Sequence, residues 1–171
     1  MALEEMDETR QMKVLAVKDV RLVTKPWGWE RWIADGQPNF GYVLKEIFIR
    51  AGQRSSVQFH QVKQETSYVQ KGEGILYYSE LPVDIERFVQ GGYSSQEIKQ
   101  LVRKLKTMKL TPGAVFHVLP GFIHRVQASK DLLLVESSTV ELDDIFRLED
   151  DSRRGHGRIE REHQGTPKEN D

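Results

Sequence analysis

The chain of 171 residues contains no cysteine, which excludes disulfides, thiolate metal sites and cysteine nucleophiles together. It has almost no net charge, since 25 Lys and Arg stand against 26 Asp and Glu for a formal balance of −1. That balance argues against a nucleic-acid partner bound through a broad basic field. Long apolar runs are missing, and the first ten residues, MALEEMDETR, are acidic where a secretory leader is basic and then apolar. No membrane partner is expected, and the cytoplasm is the default location. No repeat of solenoid period is present. With 38% hydrophobic and 30% charged residues, the composition is that of one domain able to bury a core without staples.

What is present reads mostly as short strands. Residues 1–12 are polar and expected to be flexible. Val14 to Thr24 alternates Val and Leu with charges, and the proline of LysProTrpGly (25–28) marks a turn or a sheet edge. Trp27, Trp29 and Trp32 are all the tryptophans of the chain. They suit a hydrophobic plug better than a stacking platform for a sugar. Tyr42 to Arg50 alternates as a strand, placing Lys45 in line with Val43, Ile47 and Ile49. An ammonium on a core-facing row needs an anion, a pocket or a route to water; the duller reading is an edge lysine that reaches out. Leu44 and Phe48 share the opposite row. LeuLeuLeuVal (132–135) implies a strand buried on both faces, with Glu136 at its end as a carboxylate for the pocket.

The segment 80–110 interrupts the strands and is expected to be a helical insertion. Ser94 and Glu97 form a capping box ahead of Ile98, Leu101, Val102 and Leu105, the spacing of an amphipathic helix. Lys99, Arg103, Lys104 and Lys106 make its polar face basic. They complement the helix dipole; a phosphate clamp over the pocket is the sharper alternative. From residue 151 to the end the chain is dense in charge and expected to be disordered, which sets His156 and His163 aside as ligands. The folded domain is expected over 13–150.

The chemistry gathers in Gly52 to Gly72. Gln58 and His60 are two apart and point to one side of a strand, together with Ser56. Glu65 follows a short turn and reaches the same place if the two strands pair as a hairpin. On their own these residues also fit a surface hairpin with no metal. A fourth ligand is sought downstream, where ProGly (120–121) makes a turn and His124 opens the next strand.

The intervals resemble the cupin superfamily. In its first motif a glycine, His-x-His, a glutamate and a glycine recur at set intervals, and this chain has Gly52, Gln58-Phe59-His60, Glu65 and Gly72, with Gln in place of the first His. In the second motif a histidine lies eleven positions after a glycine, as His124 does after Gly113. The resemblance implies an all-β cupin jelly-roll barrel with a short helical insertion between the two motifs. It implies one divalent metal ion, foremost zinc with manganese, iron or cobalt as alternatives, held by Gln58, His60, Glu65 and His124.

The Gln-x-His set, LysProTrpGly, Lys45, His124-Arg125 and GluLeuAspAspIlePheArg (141–147) are similar to the cupin domain of type II phosphomannose isomerases. The departures are Lys63 in place of Arg, Thr66-Ser67 in place of His-Trp, and the insertion. This resemblance implies a metal-dependent aldose–ketose isomerase of a sugar phosphate or related sugar, working through an enediolate. Lys45 and Glu136 are the candidate catalytic groups. Lys63, Ser56 and Arg125 are the candidate substrate contacts, although strand alternation turns Arg125 away if His124 points inward. The rival expectations are a non-catalytic sugar-binding or regulatory cupin and another metal-dependent cupin enzyme, an epimerase or a dioxygenase. A homodimer paired through Leu44 and Phe48 is also expected.

Overall fold

The computed structural model describes residue 12, residues 14–36 and 40–151, and the backbone of 157–158. Most of the expected flexible N-terminus and most of the charged tail, His156 and His163 included, lie outside the described residues.

Among the described residues, twelve strands form two six-stranded sheets. In chain order they are β1 (Arg21–Lys25), β2 (Gly28–Asp35), β3 (Val43–Ile49), β4 (Val57–Phe59), β5 (Glu65–Lys71), β6 (Gly74–Tyr78), β7 (Lys106–Leu110), β8 (Val115–Val118), β9 (His124–Ala128), β10 (Leu132–Ser138), β11 (Phe146–Glu149) and β12 (Gly157–Arg158). The first sheet runs β1-β2-β3-β10-β5-β8 and the second β12-β11-β4-β9-β6-β7. All their ladders are antiparallel. Two such sheets facing each other make a jelly-roll barrel.

The inward rows explain where a site can form. On β10, Leu132 and Leu134 give way to Glu136 and Ser138; on β3, Ile49 and Ile47 give way to Lys45. On β9, Ala128 and Val126 lead to His124, and on β5, Val69 leads to Ser67 and Glu65. Each row is apolar toward one end of the barrel and polar toward the other, except that on β3 the buried Val43 follows Lys45. The apolar end holds the main core, with Trp27, Ile49, Val69, Leu110, Leu132 and Leu134 packed together.

Four expectations need correction. The strands carrying Gln58 and Glu65 are not a hairpin, because β4 pairs with β9 and β11 while β5 pairs with β10 and β8. They belong to opposite sheets. The run 132–135 is buried on one face only: Leu133 and Val135 are half-buried on the outer face, as Leu44 and Phe48 are. The insertion is helical as α1 (Ile85–Val89) and α2 (Ser95–Arg103), but Lys106–Leu110 is strand β7, paired along β6. Of the tryptophans, Trp27 and Trp32 are buried, whereas Trp29 stacks on Phe48 on the outer face, with ring centroids 5.3 Å apart.

The capping box of Ser94 and Glu97 is formed. Leu101, Val102 and Leu105 pack with Ile85 and Phe88 against Val57, Phe59 and Phe146. Val57 and Phe59 flank Gln58 on the other face of β4, so the helices cover the outside of the second sheet. A sheet therefore separates the basic face of α2 from the barrel interior.

Gly72 closes the turn between β5 and β6 at φ +90°, and a Cβ there would lie 1.9 Å from the Asp131 carbonyl oxygen. Gly52, at φ +79°, has open space around its Cβ position. Gly72→Ala is expected to destabilise by at least about 3 kcal/mol, and Gly52→Ala by about 1–2 kcal/mol, the left-handed backbone term alone. Urea unfolding of the two variants checks this; equal losses would refute it.

Candidate metal centre

His60 follows β4, His124 opens β9, and Glu65 opens β5 on the facing sheet. Closing the barrel brings their ligand atoms within 4.8 Å of one another, all three side chains buried. Glu65 Oε2 lies 3.4 Å from His60 Nε2, and Glu65 Oε1 lies 3.3 Å from His124 Nε2.

The other ring nitrogen decides what each Nε2 can do. His60 Nδ1 contacts the Asp144 carbonyl oxygen, and His124 Nδ1 lies 3.2 Å from the Phe122 carbonyl oxygen. A carbonyl only accepts, so both Nδ1 atoms carry hydrogen and both neutral rings present a lone pair at Nε2. His60 Nε2 is buried without a hydrogen-bond partner. Two lone pairs and a carboxylate thus meet in one buried spot. A metal cation between them would satisfy all three, and the nitrogen–oxygen donor set suits a divalent first-row ion. The group can hold such a metal.

The backbone around the centre is tied down by a residue that the sequence reading did not single out. The Asp144 carboxylate accepts from the backbone N–H groups of Gln61 (3.0 Å), Val62 (2.6 Å) and Lys63 (2.7 Å). Gly121 N–H donates to the His60 carbonyl at 2.8 Å, joining the second motif's turn to the first motif.

Gln58 stands directly across the β4–β9 ladder from His124. Its Oε1 accepts from Ser56 Oγ at 2.7 Å, which leaves that oxygen a second lone pair for a ligand role. Ser56 is buried at the cavity wall. Lys63 Nζ donates to Glu65 Oε2 at 2.6 Å and to Glu136 Oε1 at 3.2 Å. Lys45 Nζ donates to Glu30 Oε2 at 3.4 Å and sits 4.5 Å from the Trp32 ring centroid.

Gln58, His60, Lys63, Glu65, His124, Lys45, Ser56 and Glu136 all line one cavity of about 90 Å³. Arg125 does not. Its Nε donates to the Ser55 carbonyl at 2.8 Å and its Nη2 pairs with Asp151 at 3.1 Å. With His124 and Val126 on the inward row, alternation turns Arg125 outward, which corrects its expected substrate contact.

Glu30 was missed, although it sits on the β2 row of Gly28 and Trp32 and obeys the alternation that singled out Lys45. Its Oε2 also accepts from Trp32 Nε1 at 3.0 Å, and its Oε1 lies 3.6 Å from Lys25 Nζ. Lys25 is likewise buried.

No family model matches the chain, and no curated protein matches it in sequence. Solved structures do match in shape. The capsular polysaccharide assembling protein CapF from Staphylococcus aureus superposes with a TM-score of 0.56 at 13% identity, over 77% of this chain and 32% of CapF. Oxalate decarboxylase from Bacillus subtilis gives 0.58 at 12% identity, over 83% and 34%. Ectoine synthase from P. lautus gives 0.53 at 16%, over 75% and 78%. The fold is the cupin jelly roll. The chain spans about a third of the length of CapF and of oxalate decarboxylase. At these identities the likeness speaks for the fold alone, as the motif intervals led one to expect.

Burial pushes the Glu65 carboxyl up, but the Lys63 ammonium beside it outweighs this and holds the pKa well below 4.5. Burial pushes Lys63 down, and Glu136 and Glu65 outweigh that to raise it above 10.5. A depressed carboxylate contributes stability in full above its unfolded pKa and loses it as pH falls through the folded value. A raised lysine contributes in full below its unfolded pKa and loses it only as pH climbs past the folded value. In metal-free protein this pair is therefore expected to stabilise steadily from about pH 5 to 10 and to weaken below about pH 4.5. Lys63→Met, which leaves two buried carboxylates facing each other, is expected to cost about 3–5 kcal/mol at neutral pH. Urea midpoints against pH test both; a Glu65→Gln variant with an undiminished acid slope would count against the assignment.

Proposed function

We propose that the protein is a metal-dependent aldose–ketose isomerase acting on a sugar or related α-hydroxycarbonyl compound. The observation that carries the reading is the convergence of two imidazole lone pairs and the Glu65 carboxylate in a cavity that also holds paired lysines and carboxylates. His60, His124 and Glu65 would hold the ion, with Gln58 beside them. A divalent cation so bound supplies Lewis-acid polarisation of a carbonyl and its neighbouring hydroxyl.

The reaction moves one proton between adjacent carbons, so one group must take it and return it. Glu136 is the residue for that task. Its Oε1 accepts from Lys63, which orients the carboxylate and leaves Oε2 to hold the proton. Lys45 faces Glu136 across the β3–β10 ladder, close enough to steady negative charge on the substrate oxygen. Lys63 remains an ammonium, a fixed charge and not a base.

A neutral sugar fits this arrangement better than a phosphorylated one. The two lysines in the cavity wall, Lys45 and Lys63, are both engaged by carboxylates, and a phosphate would have to displace these. The free space of about 90 Å³ equals roughly three water volumes, enough for the reacting end of an open-chain sugar. Pairing into a homodimer belongs to the same proposal. The half-buried Leu44, Phe48, Leu133 and Val135 on the outer face of the first sheet support it, and a monomeric mass by light scattering would reject it.

Elemental analysis of purified protein is expected to find about one zinc or manganese per chain, removed in His60→Ala. A panel of aldoses and aldose phosphates should show ketose formation with at least one neutral sugar. Glu136→Gln should lower kcat by about 10²–10⁴-fold with metal content unchanged. Metal-loaded protein that converts no sugar would sink the isomerase reading, and tight sugar binding without turnover would leave a binding protein.

A further inference from the structure

A second pocket, about 290 Å³, opens beside the metal centre on the side of β7 and β8. These strands are the last in their respective sheets, and no ladder joins them. The chain passes from one to the other through Thr111–Ala114, so the barrel is closed there by a turn and not by strand pairing. Leu76, Met108, Phe116, Val118, Phe122 and Ile123 form the apolar wall. The Ser79 hydroxyl at the wall already accepts from Ile123 N–H at 2.9 Å. Met108 lies opposite Leu76 in the β6–β7 ladder and is 38% exposed, which puts it at the mouth. Phe116 and His124 line both this pocket and the polar cavity.

The pocket is open to solvent on one side and mostly apolar in its lining, which suits apolar guests: about 150 Å³ accommodates benzene, so it has room for roughly two fused rings. We infer that it is a binding site for a compact apolar group, aromatic or branched aliphatic, with the bulk of a naphthalene, held against the wall that His124 shares with the metal centre. The group belongs either to a free apolar ligand or to an apolar arm of the metal-centre substrate. The chemistry of recognition is the same in both.

The test titrates full-length protein with 2-naphthol by calorimetry. Saturable binding with Kd below about 1 mM and a negative heat-capacity change is expected. Met108→Trp, a β-compatible residue at an edge strand, should fill the mouth and weaken binding by about tenfold or more. Met108→Ala should bind within about threefold of the parent, and circular dichroism should show both variants folded. His60→Ala should bind 2-naphthol as the parent does, which keeps this result independent of the metal reading. No saturable binding to the parent, or binding by folded Met108→Trp within about threefold of it, would overturn the inference. The source is read from metal-loaded protein: a naphthyl hydroxamate that binds at least about tenfold tighter than acetohydroxamate points to a substrate arm, and equal affinities point to a free ligand.

Discussion

Lone pairs of like character do not share a buried space without a cation or a hydrogen-bond donor between them. His60, His124 and Glu65 are forced into that situation by the closure of two sheets, and much of the surrounding structure serves to keep them there. The Asp144 and Phe122 carbonyls set the tautomers, so each ring turns its unprotonated nitrogen inward. The Asp144 carboxylate anchors three successive backbone N–H groups of the loop after His60. Each contact is modest by itself. Together they give the imidazoles little freedom to swing apart, which is the preorganisation that a metal site needs.

Around this point three buried ammoniums, Lys25, Lys45 and Lys63, are interleaved with three buried carboxylates, Glu30, Glu65 and Glu136. The alternation is what makes their burial tolerable, since each charge has an opposite neighbour. It also shapes the proposed chemistry. With the protein charges already balanced, a dication at the centre leaves the cavity positive. The species best accommodated is then a substrate that gains negative charge on its way to the transition state, as an enediolate does. A substrate that arrives with a full phosphate would unsettle the pairs that hold the lysines.

Much of the site was legible because strand alternation is local. Ser56, Gln58 and His60 follow period two, and the same rule identified Lys45 as inward and gave warning about Arg125. It also applied to Glu30 on the β2 row, but a glutamate between tryptophans carries no motif to draw notice. Asp144 was quoted only as part of a family-like ending, because a side chain that gathers backbone N–H groups more than eighty residues away leaves no periodic trace. The hairpin expectation failed for a related reason. Two strands close in sequence usually pair, but here the turn at 61–64 crosses from one sheet to the other.

By itself the sequence determined which side chains share a face and which residue types could bind a metal. Those properties arise within a strand, where a period of two is enforced by backbone geometry. Only the tertiary structure decided which faces meet. It set Glu65 against two histidines on the opposite sheet, turned Lys63 toward Glu136 instead of solvent, and left a gap between β7 and β8. Strand partners in a barrel are chosen by closure of the whole chain, through contacts among residues far apart in sequence, and no local pattern records that choice.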